Sequence, residues 1–227
     1  MGGYLDRRPL GARVSLYDYQ VGRVDLPGEA LRLLGTPSGP IVDVGCGLGQ
    51  YVDRLTTAGI AAYGLDESPA MARDVRGEAT RLPFASGSCA AALAMHTLYH
   101  VADIPSAVRE LRRVVRPGGT VLASANGAED KRSLYALLGP GREVALELGA
   151  RFSFDHAGLL REAFDQVELQ TWEREIVVPT PEPIEAYVAS TGADPEVREQ
   201  AAAQVREVIA RNGAFRTTSV VGIFVCQ

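Results

Sequence analysis

The chain is short of cysteine, histidine and lysine, and each shortage narrows what it can be. Cys46, Cys89 and Cys226 are the three cysteines among 227 residues. Their scatter fits neither a disulfide framework nor the spacing of zinc ligands, so they are read as small, mostly buried thiols and no metal site is expected. Of the 23 basic residues only Lys131 is lysine, a usage that points to codon bias in a GC-rich, bacterial genome. No basic run is present and the formal net charge is −5, so there is no general attraction to nucleic acid or to an anionic membrane. The opening Met-Gly-Gly-Tyr-Leu-Asp-Arg-Arg lacks an apolar signal core, and no apolar run approaches membrane-spanning length. The expectation is a cytoplasmic monomer or homodimer with no nucleic-acid or membrane partner.

What is present is enough apolar residue for a sizeable core. Hydrophobic content of 46% and charged content of 22% are those of a globular chain, and the length suits one α/β domain. The organising stretch is Pro40 to Leu55. Ile41, Val42 and Val44 have the look of a buried parallel strand, which breaks into Gly45, Gly47 and Gly49 before an amphipathic segment starts at Gln50. Glycines on alternate positions allow a sharp turn and a close backbone approach to a ligand, and open α/β sheets bind ligands at the carboxyl ends of their strands. Alone, the pattern also suits an ordinary strand-to-helix turn.

The remaining elements follow in order. A short helix is expected over Gly28 to Leu34. The helix from Gln50 carries Tyr51, Val52, Leu55 and Ala58 on one side and stops at Gly59. A second strand, Ala61 to Leu65, ends in Asp66-Glu67, completing a βαβ unit. Asp66 lies about 20 residues past the glycine turn, where a carboxylate can accept hydrogen bonds from both hydroxyls of a ribose. Ser68-Pro69 suggests a stunted helix, followed by a brief third strand near Val75. Ala90 to Met95 is a fourth strand, and His96-Thr97-Leu98-Tyr99-His100 leaves it at the same sheet edge. Asp103-Ile104-Pro105 opens a helix striped by Ile104, Val108, Leu111 and Val115, ended by Pro117-Gly118-Gly119, with a fifth strand over Thr120 to Ala125. Beyond Asn126 a broken helical region reaches Arg151. Then come a helix over Phe154 to Phe164, a strand over Val167 to Val178, a turn at Thr180 to Pro183, a helix from Pro195 to Arg211, and a last strand over Thr217 to Val225.

Four motifs in this order resemble the Rossmann-like S-adenosylmethionine-dependent methyltransferases of the small-molecule branch. They are Val-Asp-Val-Gly-Cys-Gly-Leu-Gly (Val42 to Gly49), Gly-Leu-Asp-Glu-Ser-Pro-Ala-Met (Gly64 to Met71), Gly-Glu-Ala-Thr-Arg-Leu-Pro-Phe (Gly77 to Phe84) and Leu-Arg-Arg-Val-Val-Arg-Pro-Gly-Gly (Leu111 to Gly119). The resemblance implies a doubly wound, mostly parallel seven-stranded sheet with the last strand antiparallel, and a single domain over residues 1–227. Within it, residues 1–37 would form an N-terminal cap segment, 38–126 the cofactor-binding core, and 127–152 and 179–195 substrate-side insertions. It also implies S-adenosylmethionine as cofactor, leaving as S-adenosylhomocysteine. Its contacts would fall on Tyr17, Asp43, Gly45, Cys46, Gly47, Gly49, Asp66, Glu67, Glu78, Ala79 and Met95. Asp43 and the glycine backbone would take the methionine part, Asp66 the ribose, Glu78 and the Ala79 amide the adenine, and Met95 the methyl-donor end. Two departures stand out: Cys89-Ala90 replaces the family's common Phe-Asp, and the segment before Glu78 is shorter than usual.

Methyl transfer is an in-line displacement, so alignment of the reactants is the protein's main task. A hydroxyl or ammonium acceptor needs a base as well, and His96, Tyr99 and His100 stand at the right sheet edge. His96 is either a base or orienting group, or a packed histidine. His100 is read as structural, and Tyr99 as lining pocket or core. The expected partner is a small organic acceptor methylated on oxygen or nitrogen, with natural-product tailoring as one setting. Tyr135, Arg142, Arg151, Phe152 and Tyr187 suit a partly apolar acceptor. The alternatives are an NAD-dependent oxidoreductase, which would want glycine at Gln50, and a cofactor-binding protein with a non-methylating or non-catalytic role.

Overall fold

A computed structural model describes residues 8–139 and 151–227. Expectations placed on Pro140, Gly141 and Arg142 lie outside the described residues. Seven strands form one sheet in the order β3-β2-β1-β4-β5-β7-β6. β1 (Ile41–Val44) is buried on both faces and sits between β2 (Ala62–Asp66) and β4 (Cys89–Ala94), parallel to each. β3 (Val75–Arg76) and β5 (Val115–Asn126) extend the parallel part on either side. β7 (Phe215–Cys226) enters antiparallel between β5 and β6 (Val167–Val178). The mixed sheet expected from the motifs is therefore the sheet observed.

Strand alternation divides the core. Val42, Val44, Ala92, Ala94, Val121 and Ala123 face α4 (Ile104–Val114) and its Leu111. Ile41, Ala91, Leu93 and Leu122 face the opposite side with Leu55, which belongs to α3 (Gln50–Thr57). This two-residue period puts Asp43 on the same face as Ile41. α4 starts where Asp103 accepts a hydrogen bond from the Ser106 amide, with Pro105 in the first turn. It buries Ile104, Ala107, Val108, Leu111 and Val114. Truncating the fully buried Leu111 to alanine should cost about 2–5 kcal/mol.

A third cluster joins distant parts of the chain. It gathers Leu16, Leu134, Ile176, Ile184, Tyr187 and Val205. Its helices are α5 (Arg132–Ala136), α7 (Glu182–Ser190) and α8 (Pro195–Asn212). α1 (Arg8–Ser15) leans on α7, and Arg13 there donates to the Ser190 carbonyl at 2.8 Å.

Several local expectations are corrected. No helix follows Ser68; the chain makes a turn. There the Asp66 carboxylate accepts from the Ser68 amide at 2.9 Å, the Ser68 hydroxyl from the Ala70 amide at 3.2 Å, and the Ser68 carbonyl from the Ala72 amide. The few residues between β2 and β3 are consumed by these side-chain turns, which compete with helix formation. Ala58 is exposed rather than packed, because α3 closes at Thr57 and Ala58 caps it. The expected Phe154 to Phe164 helix is a 3-10 turn at Phe154–His156 followed by α6 (Ala157–Arg161). The stretch after Thr180 is not a plain turn and loop, since Glu182 onward forms α7. The α4 stripe ends at Val114, and Val115 opens β5, whose pairing with β4 slips between Cys89 and Ala91.

Candidate active site

The glycine turn is built from the backbone outward. Gly45, Gly47 and Gly49 all have positive φ, at 73°, 52° and 84°. A Cβ on Gly45 would overlap the Thr97 side chain, so both conformation and space demand glycine there. The Gly45 and Cys46 amides donate to the Leu65 carbonyl at 2.7 and 3.0 Å, tying the turn to β2. Asp66, at the tip of that strand, accepts from the Gly47 amide at 3.1 Å through Oδ2 and from the Ser68 amide through Oδ1. Its carboxylate is thereby fixed at the rim with lone pairs to spare. Beside it are the exposed Glu67 and, past β3, the exposed Glu78 and half-buried Ala79.

Asp43 is the anomaly of this half. It is fully buried, and neither carboxylate oxygen has a hydrogen-bond partner among the described residues. Burial, helped by repulsion from Asp66, pushes its pKa up to about 7. Burial also pushes the Cys46 thiol up to about 12, with Asp43 adding to the shift. That thiol donates to the Met71 carbonyl and is a neutral packing group.

At the end of β4, Met95 is buried and the chain turns through His96, whose φ is 55°. The His96 amide donates to the Ser124 hydroxyl at 2.7 Å, which holds this unusual backbone in place. Burial pushes the imidazole down to about 4, and the Lys131 ammonium and His100 act in the same direction. His96 is therefore neutral at pH 7. Its ring lies 6.4 Å from that of Tyr99, which in turn lies 4.6 Å from His100. Tyr99 packs partly against the core, and His100 is at the exposed edge.

One cleft of about 1810 Å³ runs along the glycine turn, Asp66, Met95 and His96, roomier than a typical small-molecule pocket, and Asp43 is buried behind its lining. Gly45 to Gly47, Asp66, Glu78, Met95 and His96 line it on one side. Tyr17, Asn126, Lys131, Tyr135 and Tyr187 line it on the other. Tyr17, from the 3-10 turn Leu16–Tyr19, accepts a hydrogen bond from Lys131 Nζ at 2.9 Å. Tyr135 and Tyr187 touch through their hydroxyls at 3.5 Å. Phe152 is buried against Phe224, and Arg151 donates to the Val101 carbonyl, so both also serve packing. Sequence reasoning missed Asp130 and Asn126 and treated Lys131 only as a codon-usage curiosity. The rarity of lysine was the signal, but nothing in the sequence says that this lysine is buried.

The residues fit S-adenosylmethionine on one direct count. A buried, partnerless carboxylate under a glycine turn calls for a cationic or donor-bearing ligand, and the cofactor's methionine part supplies one. The comparisons agree. A family model described as a methyltransferase domain matches residues 42–123. The chain is similar to the ubiquinone biosynthesis O-methyltransferase of Alkalilimnicola ehrlichii, 29% identical over 74% of this chain and 70% of that protein. Its fold matches a crystal structure assigned to an antibiotic biosynthesis pathway of Anabaena variabilis, with TM-score 0.68, 18% identity and coverage of 87% and 95% of the two chains. It also matches phosphoethanolamine N-methyltransferase 2 of Haemonchus contortus, solved with S-adenosylhomocysteine, at TM-score 0.58, 12% identity and coverage of 96% and 57%. Residues 42–123 thus match a methyltransferase domain, and the similarities together support an S-adenosylmethionine-dependent methyltransferase of the Rossmann-like fold.

Proposed function

We propose that this enzyme methylates an oxygen of a small organic acceptor, in the tailoring of a natural product. The observation that carries the reading is the single cleft running from the glycine turn and Asp66 past Met95 to His96 and the tyrosines. Such a cleft holds both reactants end to end, which is what an in-line displacement needs. The similarity to an O-methyltransferase of ubiquinone biosynthesis favours oxygen over nitrogen. We take the chain as one domain, with residues 38–126 as the cofactor core and residues 1–37, 127–152 and 179–195 shaping the acceptor side.

When bound, S-adenosylmethionine supplies a methyl group activated on a sulfonium. In this reading Asp43 takes the methionine ammonium region from beneath the turn, and the backbone of Gly45, Cys46, Gly47 and Gly49 lets the ligand approach closely. Asp66, with Glu67 beside it, accepts from the ribose hydroxyls, and Glu78 with the Ala79 amide meets the adenine edge. Met95 bounds the methyl-donor end, while Tyr17 covers the junction with the acceptor side. His96, neutral at pH 7, makes a hydrogen bond with the acceptor oxygen and orients its lone pair. A histidine this weakly basic is a better aligner than proton sink. Tyr99 and His100 back its ring.

Calorimetric titration with S-adenosylhomocysteine, followed by transfer from radiolabelled S-adenosylmethionine to a panel of phenols, carboxylic acids and amines, tests the reading. Micromolar binding and label on an oxygen acceptor are expected. Label found only on amines, or no binding of the homocysteine compound, would defeat it.

A further inference from the structure

The chain's one lysine is the most deeply buried cation among the described residues. Lys131 is 3% exposed, in a protein that otherwise uses arginine for its positive charge. Its ammonium pairs with Asp130, itself buried, donates to the Tyr17 hydroxyl and lies 5.1 Å from the centre of that ring. Burial is the largest single influence and disfavours the ammonium, but Asp130, Tyr17, Tyr135 and Tyr187 together outweigh it. Lys131 is therefore charged, inside the cleft wall.

Structural duty accounts for Asp130 but not for Lys131. Asp130 Oδ1 accepts from the Val220 amide at 3.0 Å, and the Lys131 amide donates to the Thr218 carbonyl at 2.6 Å. Those contacts dock the start of α5 on β7 and need no lysine side chain. A buried ion pair seldom adds stability over an apolar replacement, and a lysine backbone at φ 51° adds strain. Among the described residues only two non-glycine positions have positive φ, His96 and Lys131. Both line the same cleft, and the Lys131 charge is felt at His96. Strain concentrated at two positions of one cleft marks a working surface.

The ammonium has three donors. Asp130 and Tyr17 take two, and the third has no partner among the described residues. Asp130 is already committed to Val220 and Lys131, and the groups that interact with the ammonium besides it include the hydroxyls of Tyr17, Tyr135 and Tyr187 and the ring of His96. A wall with one spare ammonium donor, phenolic hydroxyls and aromatic rings suits a flat ligand with a negative oxygen. The neutral, weakly basic His96 does not need to remove a proton from an acceptor that arrives ionised.

Building on the oxygen-methylation reading, we propose that Lys131 is the acceptor-binding cation of this enzyme, holding the acidic hydroxyl of a phenol or enol as its anion. Asp130 keeps the lysine protonated, and Tyr17 fixes the direction of its donors. Acceptors with weakly acidic aliphatic hydroxyls are selected against.

The probe is 4-nitrophenol, whose anion absorbs in the visible, titrated against full-length protein with and without S-adenosylhomocysteine. With wild type, saturable binding should lower the phenol's apparent pKa by at least one unit, a roughly tenfold preference for the anion. Lys131→Met should abolish that shift, and Lys131→Arg should retain part of it. Asp130→Asn combined with Lys131→Met removes both charges while keeping an acceptor for the Val220 amide, so the loss can be read in a folded protein. No shift with wild type, or an equal shift in the double variant, overturns the assignment. Failure to bind S-adenosylhomocysteine, with the nitrophenol shift intact, would count against the methyl-transfer reading and leave the anion site standing.

Discussion

The two sides of the cleft bury charge in opposite ways. On the cofactor side Asp43 is fully buried with neither oxygen hydrogen-bonded among the described residues, and its carboxyl is pushed towards neutrality. On the acceptor side Lys131 is nearly as buried but carries its own counter-ion and a tyrosine hydroxyl, and it stays charged. An uncompensated carboxyl is poised for a ligand that brings the missing charge, and its cost in the free protein is part of the binding preference. A compensated lysine needs no ligand to persist, so it presents a fixed field that selects among ligands. The first side is built to respond and the second to discriminate.

The harshest way to break this contrast is at the turn. Gly45→Ala, which meets Thr97 at a left-handed backbone, should lower S-adenosylhomocysteine affinity at least 100-fold by calorimetry and reduce the melting temperature. Leu111→Ala should lower the melting temperature without touching the phenol shift, separating core from site.

Asp43→Asn sharpens the contrast because affinity and stability should move in opposite directions. Cofactor affinity should fall at least tenfold. The free protein at pH 8 should gain stability, with a ceiling on the order of 4 kcal/mol, since a carboxyl raised from its ordinary value to about 7 favours the folded state only when protonated. The sign follows: in the wild type this contribution is present at about pH 4 and is lost as pH rises through 7. Denaturant melts of the two proteins across that range should diverge upward with pH, and parallel curves would remove Asp43 from the account.

His96 has the opposite sign. Its folded-state pKa lies near 4, below that of the unfolded chain, so its contribution is present above about pH 6.5 and is lost as pH falls towards 4. His96→Gln should flatten the acid side of the stability profile. It should also cut kcat by no more than about tenfold, because glutamine can still hydrogen-bond the acceptor oxygen. A loss of 1000-fold, with a rate that follows an ionisation near pH 6.5, would restore a proton-abstracting role. The smallest effect expected is that of Tyr187→Phe, which removes one weak hydroxyl contact and should change the acceptor KM by less than threefold.

The same contrast explains what could be read from the residues alone. The cofactor side is local: strand, glycines and Asp66 lie within one βαβ unit, and Gly47 and Asp66 are 19 residues apart. Glycine spacing and apolar runs therefore specify it, to within one residue of the strand ends at Asp66 and Ala94. The acceptor side is assembled from far apart, with Lys131 reaching Tyr17 across 114 positions and Tyr187 reaching Tyr135 across 52. No periodicity carries such pairings. The lost helix after Ser68 has a different cause, since local hydrogen bonds from Asp66 and Ser68 won over a helix whose start signal was real but whose length was too short. α7 was hidden because its apolar residues, Ile184, Tyr187 and Val188, stand behind two prolines that mark a turn and a helix start equally well.

The left-handed backbones at His96 and Lys131 let selection itself tell folding from chemistry. At such positions glycine or asparagine is the residue the main chain prefers. A library randomised at both sites and sorted only for soluble, folded protein should drift towards those residues. The same library sorted for turnover should keep histidine and lysine against that pull, and the gap between the two populations would measure what the enzyme gives up in its scaffold to keep its reaction.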